Sequence, residues 1–515
     1  VAGTNVTVNS TDPANPIVSA SGAVDSVVAG SNIDVDATDP ANPIVSVETL
    51  TLADISDVTA SATEVNYTDG VTSAIQTQID TKVTDSSSIY TPRRRPRPPH
   101  IVKMIQSFDQ TGHAWFSGGT TVSSNPADTD SEVGIHASIV TGTTGTSTYS
   151  KYNFGTFNAT NRNLVALVRV EDMTAISGIV LRIGSGTNVT SNYYDLQVSA
   201  GNVSSSILNT GEWVPVTFSW AKSVAVGSPD RSALKSLQFR VPAFNSKSTT
   251  VRFKSIGISE QRGPYCLISF DDNQVSANLA LPYMNKYGFS GTMYSIAERI
   301  DTPNYQTIED VLSMQNDFNW EIACHSYTAA AHDSPNGMED LTLPQLDTEL
   351  RNLKKWALEN NISGSDHFVW PKGRFRPDMI PVAERYFVSA GMVSHYINQT
   401  LPTFTPMRMA RRGVTSTTTL ANIQTEIDTA IANDTSIEFL FHKIVSSGAT
   451  GETEYNASDF SAAIDYIASS GIEVRTISEV VYGYCDADGT KLDSIEFGAE
   501  VNNISDANAT DLTDG

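Results

Sequence analysis

"LISFDDNQ", Leu267–Gln274, sets two adjacent aspartates at the end of an apolar, strand-like run. Burying one carboxylate without a partner is costly, and two side by side repel each other. Taken alone, Asp271 and Asp272 serve equally well as caps of a following helix, where the helix dipole favours acids. The surrounding pattern decides between these readings. From Pro264 onward strands and helices alternate: "YCLISF", "GTMYSI", "WEIAC", "HFVWP" and "EFLFH" read as strands. Between them "SANLALPYMNKYG", "TIEDVLSMQNDF", "LTLPQLDTELRNLKKWALENN" and "SDFSAAIDYIASSG" read as helices, and "EVRTISEVV" closes the region. The longest of these helices carries Leu346, Leu350, Leu353 and Ala357 on one side. Repeated βα units predict a parallel sheet, here long enough for a distorted βα barrel, whose active residues sit at the C-terminal ends of its strands.

Four of those five strand ends carry a chemically competent group. The first ends in Asp271 and Asp272, and the third runs into "CHSYTAAAHD" with His325 and His332. The fourth runs into "WPKGRFRPD", and the late one ends in His442. Carboxylate and imidazole around an open position suit a catalytic divalent metal, and a spare member of the set handles protons. A cation also offsets the repulsion between neighbouring aspartates. Singly, His325 or His442 reads as a hydrogen-bonded structural histidine; their joint occurrence on successive strand ends favours catalysis.

Together, "SFDDN", "EIACHSYTAAAH", "WPKG" and "FLFH" resemble the motifs of the polysaccharide deacetylases of carbohydrate esterase family 4, the NodB-homology group, over roughly Gly263 to Gly483. The resemblance implies a metal-dependent hydrolase acting on acetyl amide or ester bonds. In it Asp271 is the general base, Asp272 and His325 bind a divalent metal, and His442 protonates the leaving group. Trp370, Pro371 and Gly373 line the substrate groove, with core packing as the competing role for Trp370. Zinc is the first expectation for the metal, with Ni2+, Co2+ or Mn2+ as alternatives. Three departures stand out. The family's second histidine, four residues on, is Ala329 here, and the next histidine is His332, seven residues after His325. Two turns of straight helix would hold these about 10.5 Å apart, so His332 completes the metal site only if the segment loops. The arginine that orients the base aligns with Val369, so "MRMARRG" must supply it from Arg408, Arg411 or Arg412, and Arg412 is the expected one. Asn273 stands where glycine is common.

Upstream the texture differs. "VAGTNVTVNSTDPANPIVS" at Val1 returns as "VAGSNIDVDATDPANPIVS" at Val28, a short β unit too small to bury a hydrophobic face unaided. Val65, Val71, Ile75, Ile79 and Val83 then fall on a narrow stripe that suits a coiled-coil seam. Residues 1–90 resemble the stems of bacteriophage tail fibres and tailspikes. That resemblance implies a homotrimer in the virion, attached to other phage tail proteins and acting on the host surface; a secreted bacterial protein with an adhesive stalk is the alternative. "PRRRPRPP" within residues 91–99 reads as a stiff linker rather than a basic patch. Residues 100–262 hold short alternating runs such as "NLVALVRVED" and "EWVPVTFSW", which predict an all-β sandwich resembling jelly-roll carbohydrate-binding modules. Trp115, Tyr193, Tyr194, Trp213 and Trp220 are its candidate sugar-stacking aromatics, with core packing as the competing role for each. The acidic stretch 485–515 is a tail or the opening of a further domain.

A chain of 515 residues with 40% hydrophobic content divides into several domains. Its formal charge of −24 argues against a nucleic-acid partner, which needs dense basic residues on one face. No apolar run approaches the roughly 18 residues that span a bilayer, so a soluble chain without membrane insertion is expected. Starting at Val1, with no signal-peptide pattern, it reads as a processed or trimmed piece of something longer. Cys266, Cys324 and Cys485 form no disulfide framework or metal-type pair, and the first two are read as buried thiols. The functional expectation is a deacetylase acting on a bacterial surface polysaccharide: capsule, exopolysaccharide or O-antigen. A non-catalytic, polysaccharide-gripping receptor-binding protein that lost its metal at the second motif is the alternative, and a secreted cell-wall or biofilm enzyme is the third.

Overall fold

A computed structural model describes residues 6–20, 33–36, 38–39, 44–47, 99–199, 207–393 and 398–483. The helical stripe expected over Val65–Val83, nearly all of the proline linker and the acidic tail lie outside the described residues. Val1–Ser86 forms one compact unit and Ser87–Gly515 another. In the first, both copies of the repeat are hairpins: Val6–Asn9 pairs antiparallel with Ile17–Ala20, and Ile33–Asp36 with Ile44–Val47. The turns use the same local bond at equivalent positions. Thr11 N–H donates to the Asn9 side chain at 3.1 Å, and Thr38 N–H to Asp36 at 3.0 Å, each oxygen mimicking a backbone acceptor. Ile17 and Val18 are each 64% exposed and their counterparts Ile44 and Val45 are 66% and 57%, so these hairpins leave their apolar residues uncovered.

In the second unit two antiparallel sheets come first. One runs Trp213–Phe218, Arg162–Val170, Thr250–Glu260, Gly134–Val140, Ser123–Asp130, with Ile101–Ser107 also on Thr250–Glu260. The other runs Ser223–Val226, Tyr193–Ser199, Gly178–Gly184, Ser236–Pro242, Thr146–Lys151, Phe116–Gly119. Period-two alternation sends Leu164, Val168 and Phe253 of the first sheet and Leu181, Leu237 and Phe239 of the second into one shared core. Trp115 and Trp220 belong to that core, and the Trp220 indole donates to the Arg162 carbonyl at 2.7 Å. Tyr194 leans edge-on against Trp220 with its hydroxyl taken by the Pro229 carbonyl. Of the five aromatics only Tyr193 and Trp213 face outward. The Arg182 guanidinium covers the Tyr193 ring at 3.7 Å, and the Trp213 indole donates to Asp130.

The chain then enters a closed parallel barrel of seven strands in sequential order: β1 (Tyr265–Asp271), β2 (Thr292–Ile296), β3 (Glu321–Ser326), β4 (Gly364–Val369), β5 (Ser389–Val393), β6 (Met409–Gly413) and β7 (Ser436–Phe441), which pairs back onto β1. Glu473–Val474 adds a short parallel strand to β1 and Asn398–Gln399 an antiparallel one to β7. Outside the barrel lie α1 (Ile308–Phe318), α2 (Ala329–Asp333), α3 (Leu343–Glu359), α4 (Leu420–Asn433), α5 (Ala457–Ser470) and α6 (Ile477–Tyr482). Leu346, Leu350, Leu353 and Ala357 of α3 are fully buried against the strands, as their spacing predicts. No helix among the described residues is long and apolar enough to cross a membrane. Cys266 and Cys324 are buried free thiols.

Polar contacts join sandwich and barrel. Arg408, just before β6, donates from Nη2 to both carboxylate oxygens of Glu212 and from Nη1 to the Ile207 carbonyl at 2.9 Å. The Gln261 amide donates to the Asn433 and Asp434 carbonyls at the end of α4.

Expectation and structure part at the loop after β4. Trp370 is fully buried, stacked on Phe375 and edge-on to Phe368, with its indole donating to the Met407 carbonyl at 3.1 Å. Pro371 and Gly373 are buried too. A Cβ at Gly373 would lie 2.4 Å from the Val393 nitrogen, and its φ of 67° suits glycine. The groove-wall reading of Trp370, Pro371 and Gly373 is therefore corrected: Trp370 takes its competing role as core, packed in the layer between the strands and helices, with Pro371 and Gly373 buried beside it. Trp370→Ala should lower unfolding free energy by about 3–5 kcal/mol in denaturant titration; a cost under about 1 kcal/mol would place the indole at the surface instead.

Candidate active site

Asp271 is the last residue of β1, and the backbone swings into the left-handed region directly after it: φ is 75° at Asp272 and 42° at Asn273. Such angles are uncommon for side-chain-bearing residues and collect at functional sites. Asn273 tolerates the turn and stitches it down. Its side-chain oxygen accepts from Ile296 N–H at 2.8 Å, and its carbonyl accepts from Gln306 N–H at 2.9 Å. The short 3-10 segment that follows, Val275–Ala280, starts from Gln274 with no side-chain cap. Both aspartates are committed elsewhere, which removes the capping alternative.

Asp271 meets an arginine. Both of its oxygens receive the forked guanidinium of Arg411, Nη1 to Oδ1 at 2.7 Å and Nη2 to Oδ2 at 3.0 Å, with Arg411 fully buried. Gly391 on β5 makes the room, since a Cβ there would stand 2.7 Å from Arg411 Nε. Arg412 points the other way, with Nε 3.0 Å from Glu426 of α4. The expectation of Arg412 as the base-orienting residue is thus corrected to Arg411. Neighbouring residues of a strand face opposite sides, and only Arg411 faces the barrel interior. Burial alone would raise the Asp271 pKa, but Arg411 and then His325 outweigh it and hold the carboxyl below its usual range. The other carboxylate near Arg411, Glu438 of β7, is pushed up to about 7 by burial.

Asp272 turns toward the histidines. Its Oδ1 lies 3.0 Å from His332 Nε2 and 3.5 Å from His325 Nε2, with one ligand atom from each of the three side chains within 4.8 Å of the others. His332 reaches this point because the chain turns sharply after β3. Thr328 caps α2, a helix of five residues, so His332 folds back over His325 with ring centroids 4.8 Å apart. Glu349 of α3 braces the turn, accepting from Tyr327 N–H, Thr328 N–H and the Thr328 hydroxyl.

Tautomers follow from the outward nitrogens. His325 Nδ1 sits 3.1 Å from the Val369 carbonyl and His332 Nδ1 sits 2.9 Å from Asp333 Oδ1, so each Nδ1 carries the donated hydrogen. In the neutral rings both Nε2 atoms then present lone pairs to Asp272 Oδ1, a buried oxygen that receives no hydrogen bond. Three electron-rich atoms this close require a positive charge among them, either protons on the rings or a cation. Burial opposes ionisation of Asp272, but the imidazoles outweigh it and hold the carboxyl well below the usual range. Burial likewise lowers the His332 pKa, and Asp272 and Asp333 more than reverse that. Two imidazoles and a carboxylate form the donor set of a divalent transition metal, zinc among them, so the residues fit the expected ion. His442 follows β7 directly and is half-buried; its Nδ1 is buried without a hydrogen-bond partner.

Lysine cannot fork onto a carboxylate, so Arg411→Lys should lower kcat/KM by about 100-fold through misplacement of Asp271. Arg412→Lys should stay within twofold of wild type in the same acetate-release assay. The reverse ranking would restore Arg412 as the base-orienting residue.

Residues 259–390 match the family model described as polysaccharide deacetylase. No curated protein matches the chain. Among solved structures, a family 4 acetyl xylan esterase from Clostridium thermocellum aligns at 14% identity, covering 42% of this chain and 89% of that one, with a TM-score of 0.29. A family 4 carbohydrate esterase from Streptomyces lividans in complex with acetate aligns at 17% identity over 42% and 92%, with a TM-score of 0.28. A CE4 family pseudoenzyme from Bacillus anthracis aligns at 15% identity over 43% and 66%, with a TM-score of 0.29.

Proposed function

The chain carries a polysaccharide deacetylase domain, a hydrolase, and we propose that it removes acetyl groups from a bacterial surface polysaccharide with a divalent cation held by Asp272, His325 and His332. The observation that carries this reading is the meeting of those three donor atoms beside an Asp271 already oriented by Arg411. When bound, such a cation supplies the positive charge that acidifies a neighbouring water and polarises a carbonyl. The protein's own groups move the protons. Asp271, fixed by the guanidinium fork, takes a proton from the attacking water. His442 gives one to the departing amine or alkoxide, and acetate leaves. His332 stands ready to supply the donor that Ala329 does not, which supports the catalytic reading over the adhesion-only alternative.

The carrier belongs to the same proposal. A tandem of hairpins with uncovered apolar residues suits association with other copies of the chain, and the resemblance of residues 1–90 to phage stems suits a homotrimeric tail fibre or tailspike. In that setting the enzyme works in the virion against capsule, exopolysaccharide or O-antigen, with other tail proteins as neighbours. The sandwich presents the polysaccharide, with Tyr193 and Trp213 as its outward aromatics.

Acetate released from acetylated host polysaccharide should disappear with a chelator and return with Zn2+. Asp272→Ala should lose at least about 100-fold in turnover, since the charge supplied is worth several kcal/mol. Chelator-resistant acetate release, or an active Asp272→Ala, would discard the assignment. Light scattering on the full chain should give three times the chain mass, and antibody to the chain should label purified virions; a monomer absent from virions would overturn the carrier reading.

A further inference from the structure

Asp333 follows His332 at the end of α2, and its side chain is 54% exposed. Its Oδ1 accepts from His332 Nδ1 at 2.9 Å, while its other oxygen pairs with Arg299, the last residue of the 3-10 turn after β2. Arg299 is itself placed, with its guanidinium 4.7 Å over the Tyr305 ring, and Lys372 Nζ reaches the Asp333 carbonyl at 3.4 Å. An exposed ion pair of this kind contributes little to folding. Its geometry serves something else. His325 lies in a strand, where its Nδ1–H is held by a backbone carbonyl that cannot move away. His332 lies on a single helical turn, a poor platform, and its Nδ1–H is held by the Asp333 side-chain carboxylate rather than by a backbone carbonyl.

We propose that Asp333, clamped by Arg299, is the positioning residue that makes the displaced His332 a metal ligand, holding Nδ1 protonated and aiming Nε2 at Asp272. This inference rests on the metal-site reading above. Partners of this kind orient ligating imidazoles and raise their basicity, and their loss weakens metal binding by about 10–100-fold. For a histidine displaced to the seventh position after the first, the carboxylate substitutes for the rigidity that a strand gives His325.

Zn2+ binding by the full chain, measured by competition titration, tests it together with the visible absorption of the Co2+-substituted protein. Asp333→Ala should weaken Zn2+ about 10–100-fold and change the Co2+ spectrum, with the thermal melt unchanged. Arg299→Ala, which leaves the carboxylate but frees it, should shift both readouts in the same direction by less. Asp333→Asn, which keeps the acceptor oxygen, should recover part of the loss. If Asp333→Ala and Arg299→Ala bind Zn2+ within twofold of wild type with an unchanged Co2+ spectrum while His332→Ala is weakened, the positioning role is wrong and the metal site stands. If the wild-type chain binds neither ion, both fall.

Discussion

Three electron-rich atoms, the Asp272 oxygen and the Nε2 of two histidines, crowd one point at the mouth of a seven-stranded barrel. Without a positive charge among them they repel, and the surrounding structure spends several unfavourable features on keeping them there. Two consecutive residues take left-handed backbone angles, a helix runs for a single turn, and two carboxylates are buried side by side. Each feature is costly alone. Together they make sense as the setting for a cation, with Arg411 satisfying the second carboxylate so that Asp271 and Asp272 need not share one counter-charge.

Division of labour between the aspartates follows from where the strand stops. Asp271 is still in β1, so its side chain follows the strand's alternation inward and meets Arg411 across the barrel. Asp272 is past the strand, and its left-handed backbone swings the side chain toward β3 and α2. The two carboxylates are consecutive in the chain, and a change of backbone angle sends them to different partners, Arg411 for one and the imidazoles for the other.

Much of this was legible in the residues. The alternation of βα units, the stripe Leu346, Leu350, Leu353, Ala357 and the acids and imidazoles at strand ends all follow from periodicity and polarity. What escaped has identifiable causes. "MARRG" does not read as a strand because a fully buried arginine occupies an interior position; counting alternate residues from the buried Met409 would have chosen Arg411 over Arg412. The path of His332 depends on Glu349, a residue of α3 whose bonds to Tyr327 and Thr328 no local pattern foretells. For Trp370 the motif suggests groove wall and its apolar neighbours suggest core; flanking Phe368 and Phe375, with which it clusters, decide for core. In the sandwich, alternation separated inward from outward positions but did not tell which aromatic would have its polar atom satisfied inside, as Trp220 does. The N-terminal repeat was plain at a glance, and its two copies take the same hairpin with the same turn bond.

Anomalous diffraction from crystals of the full chain grown with Zn2+, recorded on both sides of the zinc absorption edge, tests the central claim most directly. The account predicts one strong peak among Asp272 Oδ1, His325 Nε2 and His332 Nε2, with Asp271 still held by Arg411. A map empty at that point, or a peak held by other side chains, would contradict it.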